Sequence, residues 1–393
     1  MKSHCLIVIL LCRPESEFIQ GIIKVISLKL SSLFPKDTNV LVGIDSRVEK
    51  LMSLLAIGSS DVRIIGIWGM GGVGKTTLAR VVYEIIFSEF EGGCFITDVG
   101  KVSEICGLLP SQQKLICDIL MEKSVNIRDV DDGVLMIKNR LCHKRILLVL
   151  DDVNQFNQLE KLAGHSKWFG PGSRVIITTR DEHLLIRHNV YGIYRAQELN
   201  DYEALHLFSL KAFNKYYPPK DYLDLSTSFV DYAKGLPLAI DVLGSLLYNR
   251  SREEWECALD RVKEFPEEKI IKILQISFDG LHETEQEIFL HIACYLNMKD
   301  KDYIEEILDC LGLFPKIGLK ILIEKSLLKD YINKYRMHDL LQIMGQDIVR
   351  RDYPQELAKW SRLWLYKDIH SVLMKNTVRY RLENIPYHVI QRS

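Results

Sequence analysis

Several signals are missing from this 393-residue sequence, and each absence narrows what it can do. Neither charge sign dominates: 51 Lys and Arg face 52 Asp and Glu, so no net field draws the whole molecule to nucleic acid or an anionic membrane. The nine cysteines contain no C-x-x-C pair of the kind that holds zinc or does redox work. Odd in number and scattered, they read as buried thiols in a reducing compartment. The apolar run from Cys5 to Cys12 is too short to span a bilayer and has no small-residue cleavage site behind it. It is expected to be a truncated or misjoined start, or a strand remnant of something larger. There is no internal repeat and no low-complexity tract. What remains is a globular chain, 47% hydrophobic, with room for roughly two to four domains.

The strongest positive signal is "GIWGMGGVGKTTLAR", residues 66 to 80. Within it, "GMGGVGKT" fits G-x-x-x-x-G-K-[ST] in full, with Gly69, Gly74, Lys75 and Thr76 at the fixed positions. The glycines, Gly71 and Gly72 among them, let backbone N–H groups wrap a nucleotide's β-phosphate. Lys75 reaches the β- and γ-phosphates, and the Thr76 hydroxyl, with Thr77 beside it, faces Mg²⁺. The loop follows the apolar run "VRIIGIW" and opens a helix, so the anion meets a helix N-terminus. A second apolar strand, "ILLVLDD", ends in Asp151 and Asp152. Asp151 is the candidate Mg²⁺ ligand, directly or through a water, and Asp152 the candidate for orienting an attacking water. A third, "SRVIITT", leads to Arg180, placed either to sense a γ-phosphate or to pair with Asp181 at the surface.

These strands alternate with helical segments, including two amphipathic ones near 110 to 121 and 131 to 142, which predicts an α/β doubly wound parallel sheet. After Tyr194 the pattern turns helical. "KGLPLA" divides one long helical stretch, with Gly235 ending a helix and Pro237 opening the next. From Pro266, helices at 270 to 279, 283 to 297 and 315 to 325 precede two short strands, "SLLKDY" and "KYRM", the pattern of a winged helix. The expected organisation is a linker segment at 1–38, a P-loop NTPase domain at 39–195, a helical domain at 196–265, a winged-helix domain at 266–352 and a tail at 353–393. An amphipathic linker helix is expected between Glu15 and Leu33.

Taken in order, these blocks, with "GLPLA" at 235 to 239 and "MHD" at 337 to 339, resemble the NB-ARC module of plant intracellular immune receptors over about residues 39 to 365. "LDDVN", "FLHIACY" and "SRLWLYKDI" look like the subclass whose full-length members carry an N-terminal TIR domain. The resemblance implies an ADP/ATP switch with Mg²⁺ as cofactor, at most a slow ATPase, residing in the cytoplasm or also the nucleus. It places Pro237, Val42 and Gly43 beside the adenine. It has His338 reach the β-phosphate of ADP, with Asp339 orienting that loop. Expected partners are the nucleotide, further copies of the chain in the ATP-bound state, and other immune receptors or chaperones. The departures are an absent TIR domain, absent leucine-rich repeats, a tail that leaves the pattern after about Thr377, and His291 where the family usually has an acid. They suggest a receptor core from a truncated gene or a splice form.

Two rival readings are open at this point. A faster ATPase or motor of related fold would carry a glutamate after Asp151, and Asp152 stands there instead. A winged-helix DNA-binding regulator would need a basic recognition helix, and "MHDLLQIMGQDIVRR" is basic only at Arg350 and Arg351. Nucleic acid and membrane are therefore not expected partners.

Overall fold

The computed structural model describes residues 41–351, 360–364 and 370. The expected linker helix, the start of the chain and the tail beyond Thr377 lie outside those residues. Five strands, β1 (Arg63–Trp68), β2 (Gly92–Ile96), β3 (Ile146–Val153), β4 (Arg174–Thr179) and β5 (Gly192–Arg195), form one parallel sheet in the order β2-β3-β4-β1-β5. β2 and β3 pair in register with Cys94 opposite Leu148. Every residue of β4 and all but one of β3 are buried, as unbroken apolar runs require when helices cover both faces of a sheet.

Seven helices accompany these strands: α1 (Ile44–Leu55), α2 (Lys75–Ile86), α3 (Val99–Cys106), α4 (Leu109–Leu120), α5 (Val130–Leu141), α6 (Phe156–Ala163) and α7 (Glu182–Arg187). α4 and α5 fall where the periodicity puts them. Asp129 caps α5 by accepting from the Asp131 and Asp132 N–H groups. α3, α6, α7 and β5 were not legible, being short elements of four to eight residues with little period to read.

The chain divides into two compact units. One holds the described residues up to Ile65, together with Thr76–Thr178 and Val190–Gly192; the other holds Gly66–Lys75, Thr179–Asn189 and the described residues from Ile193 on. In the first unit, fully buried Arg174 donates to the carbonyls of Leu55, Ala56, Ser59 and Asp61, which fixes the turn after α1. The charge is tolerated there because its donors meet backbone acceptors.

In the second unit four of the helices, α8 (Asp201–Phe213), α9 (Leu223–Ala233), α10 (Pro237–Leu247) and α11 (Arg252–Glu264), pack round fully buried Trp255. Phe208, Phe213, Tyr222 and Phe229 ring its indole with centroids 5.0 to 5.9 Å away. Capping boxes, Asn200 with Glu203 and Ser251 with Glu254, start α8 and α11. α9 ends at a left-handed Lys234, and Pro237 opens α10 as read from "KGLPLA".

α12 (Glu268–Asp279) follows, then α13 (Glu283–His291), α14 (Lys301–Cys310), α15 (Pro315–Glu324), the hairpin β6 (Lys329–Tyr331) and β7 (Lys334–Arg336), and α16 (Asp339–Arg351), the helices and hairpin of a winged helix. The single helix expected at 283 to 297 changes at Ile292 into one π turn, Ile292–Leu296. α16 lies close to that turn, since a Cβ added at Gly345 would stand 2.6 Å from the Ala293 Cβ.

Candidate functional site

In the second unit the phosphate loop runs from the buried end of β1 to Lys75. Gly72 and Gly74 have φ of +78° and +94°, a left-handed backbone that glycine adopts without strain. Lys75 is only 7% exposed, and its Nζ donates to the Gly69 and Met70 carbonyls at 2.8 and 3.0 Å. The ammonium is thereby folded back over the loop it belongs to. Leu238 donates its N–H to the Gly72 carbonyl at 3.2 Å, so the first turn of α10 rests on the loop. Pro237 sits at the first position of that helix, half-buried, where its missing N–H leaves nothing unpaired.

Arg180 is placed against the same loop: a Cβ at Gly71 would meet its Nη1 at 2.8 Å. That Nη1 donates to the Ile273 carbonyl in α12 at 2.8 Å and lies 3.4 Å from the Ser277 hydroxyl. Asp181, the alternative partner for Arg180 in the sequence, accepts from Lys325 at 2.8 Å. Nearby, Lys329 donates to Glu198 at 2.6 Å, Ser326 Oγ lies 3.4 Å from the Arg180 carbonyl, and Trp68 Nε1 donates to the Glu324 carbonyl at 2.9 Å. The segment from Glu324 to Lys329 is thus bonded to the residues that follow β4 and β5 and to the end of β1.

His338 sits between β7 and α16. Its Nδ1 accepts the Leu340 N–H at 3.2 Å, which caps α16 and leaves the neutral ring's proton on Nε2. Nε2 lies 3.3 Å from the Lys234 carbonyl, next to "GLPLA". Burial lowers the ring's proton affinity against the opposing pull of Glu198, so the neutral Nε2–H donor is favoured. Asp339 lies 4.0 Å from the Lys234 ammonium.

The first unit holds the two carboxylates at the end of β3. Asp151, 2% exposed, accepts from Thr76 Oγ1 at 2.8 Å and from Thr178 Oγ1 at 2.6 Å. Burial raises its pKa above the usual carboxylate range despite those two hydroxyl donors. Asp152 has φ +53°, and its N–H donates to Thr178 Oγ1 at 2.8 Å. A non-glycine residue held left-handed inside a strand stores strain, which commonly marks a working position. Thr77 follows in α2. Val42 and Gly43 precede α1, with Gly43 at φ +70°.

Sequence reading missed Thr178, which holds both Asp151 and the Asp152 backbone. It also missed Leu238 and Ile273, whose backbone groups do the bonding; an amide or carbonyl leaves no residue-type signal.

Profiles of known families match two stretches: the NB-ARC domain over residues 44–217, and the winged-helix domain described as Disease resistance protein Roq1-like over 282–353. The chain carries an NB-ARC domain and a Roq1-like winged-helix domain. This NB-ARC chain is 44% identical over 346 residues to disease resistance protein RUN1 of Vitis rotundifolia, across 88% of this chain and 26% of that protein. It is 42% identical over 382 residues to TMV resistance protein N of Nicotiana glutinosa, across 95% of this chain and 33% of that one. It therefore spans about a quarter to a third of the length of these relatives. Among solved structures, a Walker-type ATPase of Pyrococcus abyssi superposes with a TM-score of 0.52 at 13% identity, covering 77% of this chain and 95% of that one, a likeness of fold. The P-loop fold makes this a nucleotide-binding chain. Among the described residues no helix is long and apolar enough to cross a membrane.

Proposed function

We propose that this chain is the nucleotide switch of a plant intracellular immune receptor, resting with ADP and activated when ATP replaces it. The observation that carries the reading is the bond from Arg180 to the Ile273 carbonyl beside the phosphate loop. In this reading Arg180 gives up that bond when it turns to a γ-phosphate, so the arginine that would sense ATP is also a clasp on the winged-helix region. Full inversion of a two-state switch takes about 5.5 kcal/mol of differential binding. Two or three charge-assisted hydrogen bonds, about 1.5 to 3 kcal/mol each, are of that size.

In this reading Lys75 and the loop amides hold the phosphates, Pro237, Val42 and Gly43 border the base, and His338 Nε2–H donates to the β-phosphate of ADP. Thr76 Oγ1 and Asp151 Oδ1, one hydroxyl and one carboxylate, suit Mg²⁺, which keeps waters and phosphate oxygens in its remaining positions. Mg²⁺ there would neutralise phosphate charge. Asp152 orients the attacking water, and its short reach makes hydrolysis slow, a reset of the switch. The chain acts in the cytoplasm or also the nucleus, self-associates with ATP, and engages other receptors or chaperones.

The test is to purify the protein, identify the copurifying nucleotide by chromatography and time its release. Stoichiometric, slowly released ADP is expected, and Lys75→Arg should come out without nucleotide. A Lys75→Arg protein that still carries one ADP per chain refutes the reading, as does wild-type turnover faster than about 1 per second.

A further inference from the structure

We infer that Asn297 is a positioning residue for His338, acting through the backbone of Met337. The inference rests on the reading that His338 holds ADP. Asn297 closes the π turn Ile292–Leu296, where its N–H donates to the Ile292 carbonyl at 3.0 Å. A π turn is uncommon in proteins and frequent at functional sites. Its side chain then reaches out of the helix. Oδ1 accepts the Met337 N–H at 2.9 Å, and Nδ2 donates to Gln342 Oε1 at 2.8 Å and lies 3.5 Å from the Met337 carbonyl. One amide thus brackets both backbone groups of the residue before His338 and ties them to the first turns of α16.

The π turn supplies the other end of this brace. Gln342 and Gln346 on α16 both donate to the Ala293 carbonyl, at 3.0 and 3.2 Å. Lengthening the helical step at Ile292 leaves that carbonyl open to side chains. His338 itself is fixed by its cap on Leu340 and by the Leu341 and Gln342 N–H groups on its carbonyl at 2.9 and 3.0 Å. Among the hydrogen bonds described, those from Asn297 hold the chain entering His338 from the β7 side. Without them the ring keeps its cap on α16, and the nearest hold on its approach is the Met298 N–H on the Tyr335 carbonyl at 3.1 Å, two residues before Met337.

The experiment measures release of a fluorescent ADP from the purified full chain in wild type, Asn297→Ala, Asn297→Asp, His338→Ala and the double variant Asn297→Ala/His338→Ala, with thermal melts alongside. Asn297→Ala leaves the Met337 N–H without its acceptor, which should speed release roughly tenfold. Asn297→Asp keeps an acceptor for that N–H and loses the donor to Gln342 Oε1, whose own amide stays on the Ala293 carbonyl; release should fall between wild type and Asn297→Ala, within about threefold of wild type. The double variant should release no faster than His338→Ala alone, because both act through one ring. If His338→Ala speeds release and Asn297→Ala does not, or if the two effects multiply, the positioning role is wrong while the ADP reading stands. If His338→Ala itself releases ADP at the wild-type rate, the ADP reading fails and this inference falls with it. Should Asn297→Ala not fold, the Asp variant decides: release as fast as His338→Ala overturns the inference, and near-wild-type release supports it.

Discussion

Two ion pairs, Lys325 with Asp181 at 2.8 Å and Lys329 with Glu198 at 2.6 Å, bond the Glu324–Lys329 segment to the residues after β4 and β5. If the switch opens by releasing that segment, removing both lysine charges should speed ADP release. The carboxylates are about four-fifths buried and the lysines about one-third exposed. Burial would raise the Glu198 carboxyl, but the Lys329 ammonium holds it below its usual range, so the pair is effective in the folded protein. Partly exposed pairs contribute about 1 kcal/mol each, and the two have no residue in common, so Lys325→Ala/Lys329→Ala should weaken the closed form by about 2 kcal/mol. That is roughly a 30-fold faster release of ADP. The assay is stopped-flow displacement of fluorescent ADP at two salt concentrations. Salt screens the wild-type pairs, so wild-type release should accelerate with salt and the double variant should respond much less. A double variant that releases ADP at the wild-type rate, with wild-type release indifferent to salt, would falsify the latch.

Two further outcomes test the winged-helix region. Burial, with the Arg362 charge adding to it, pushes His291 down from 6.5 to about 4, so the unfolded chain binds its proton first. Stability should therefore be full above about pH 6.5 and fall as the pH drops toward 4, by on the order of 3 kcal/mol; urea midpoints at several pH values should show this loss, and His291→Asn should remove it. Gly345→Ala drives a methyl to 2.6 Å from the Ala293 Cβ and should destabilise by roughly 1 to 3 kcal/mol, read as a lower thermal midpoint.

The sequence showed the elements whose physics is local. β1, β3 and β4 are apolar runs bounded by turn residues, and the phosphate loop is a fixed spacing of glycines and one lysine. The break at Gly235 and Pro237 was equally plain, because left-handed backbone and a missing N–H have few residue solutions. Hidden parts depend on distant backbone. Nothing in "TTRD" announces that Arg180 donates to Ile273, 93 positions away, or that Thr178 rather than a charged group anchors Asp151. The π turn was hidden for another reason. "FLHIACYLN" keeps a helical pattern through it, and only the side-chain donors from α16 reveal the displaced carbonyl at Ala293.

The bond from the Leu238 N–H to the Gly72 carbonyl changes how variants of the phosphate loop must be interpreted. A Cβ at Gly72 would stand 2.7 Å from the Leu238 side chain, so Gly72→Ala strikes α10 before it touches any ligand. An inactive Gly72 variant is therefore no measure of phosphate affinity, since it equally reports a helix pushed off its seat. Pairing it with Leu238→Gly, which removes the Cβ as well, would relieve the steric share of the defect and leave the strain of a side chain at φ +78°.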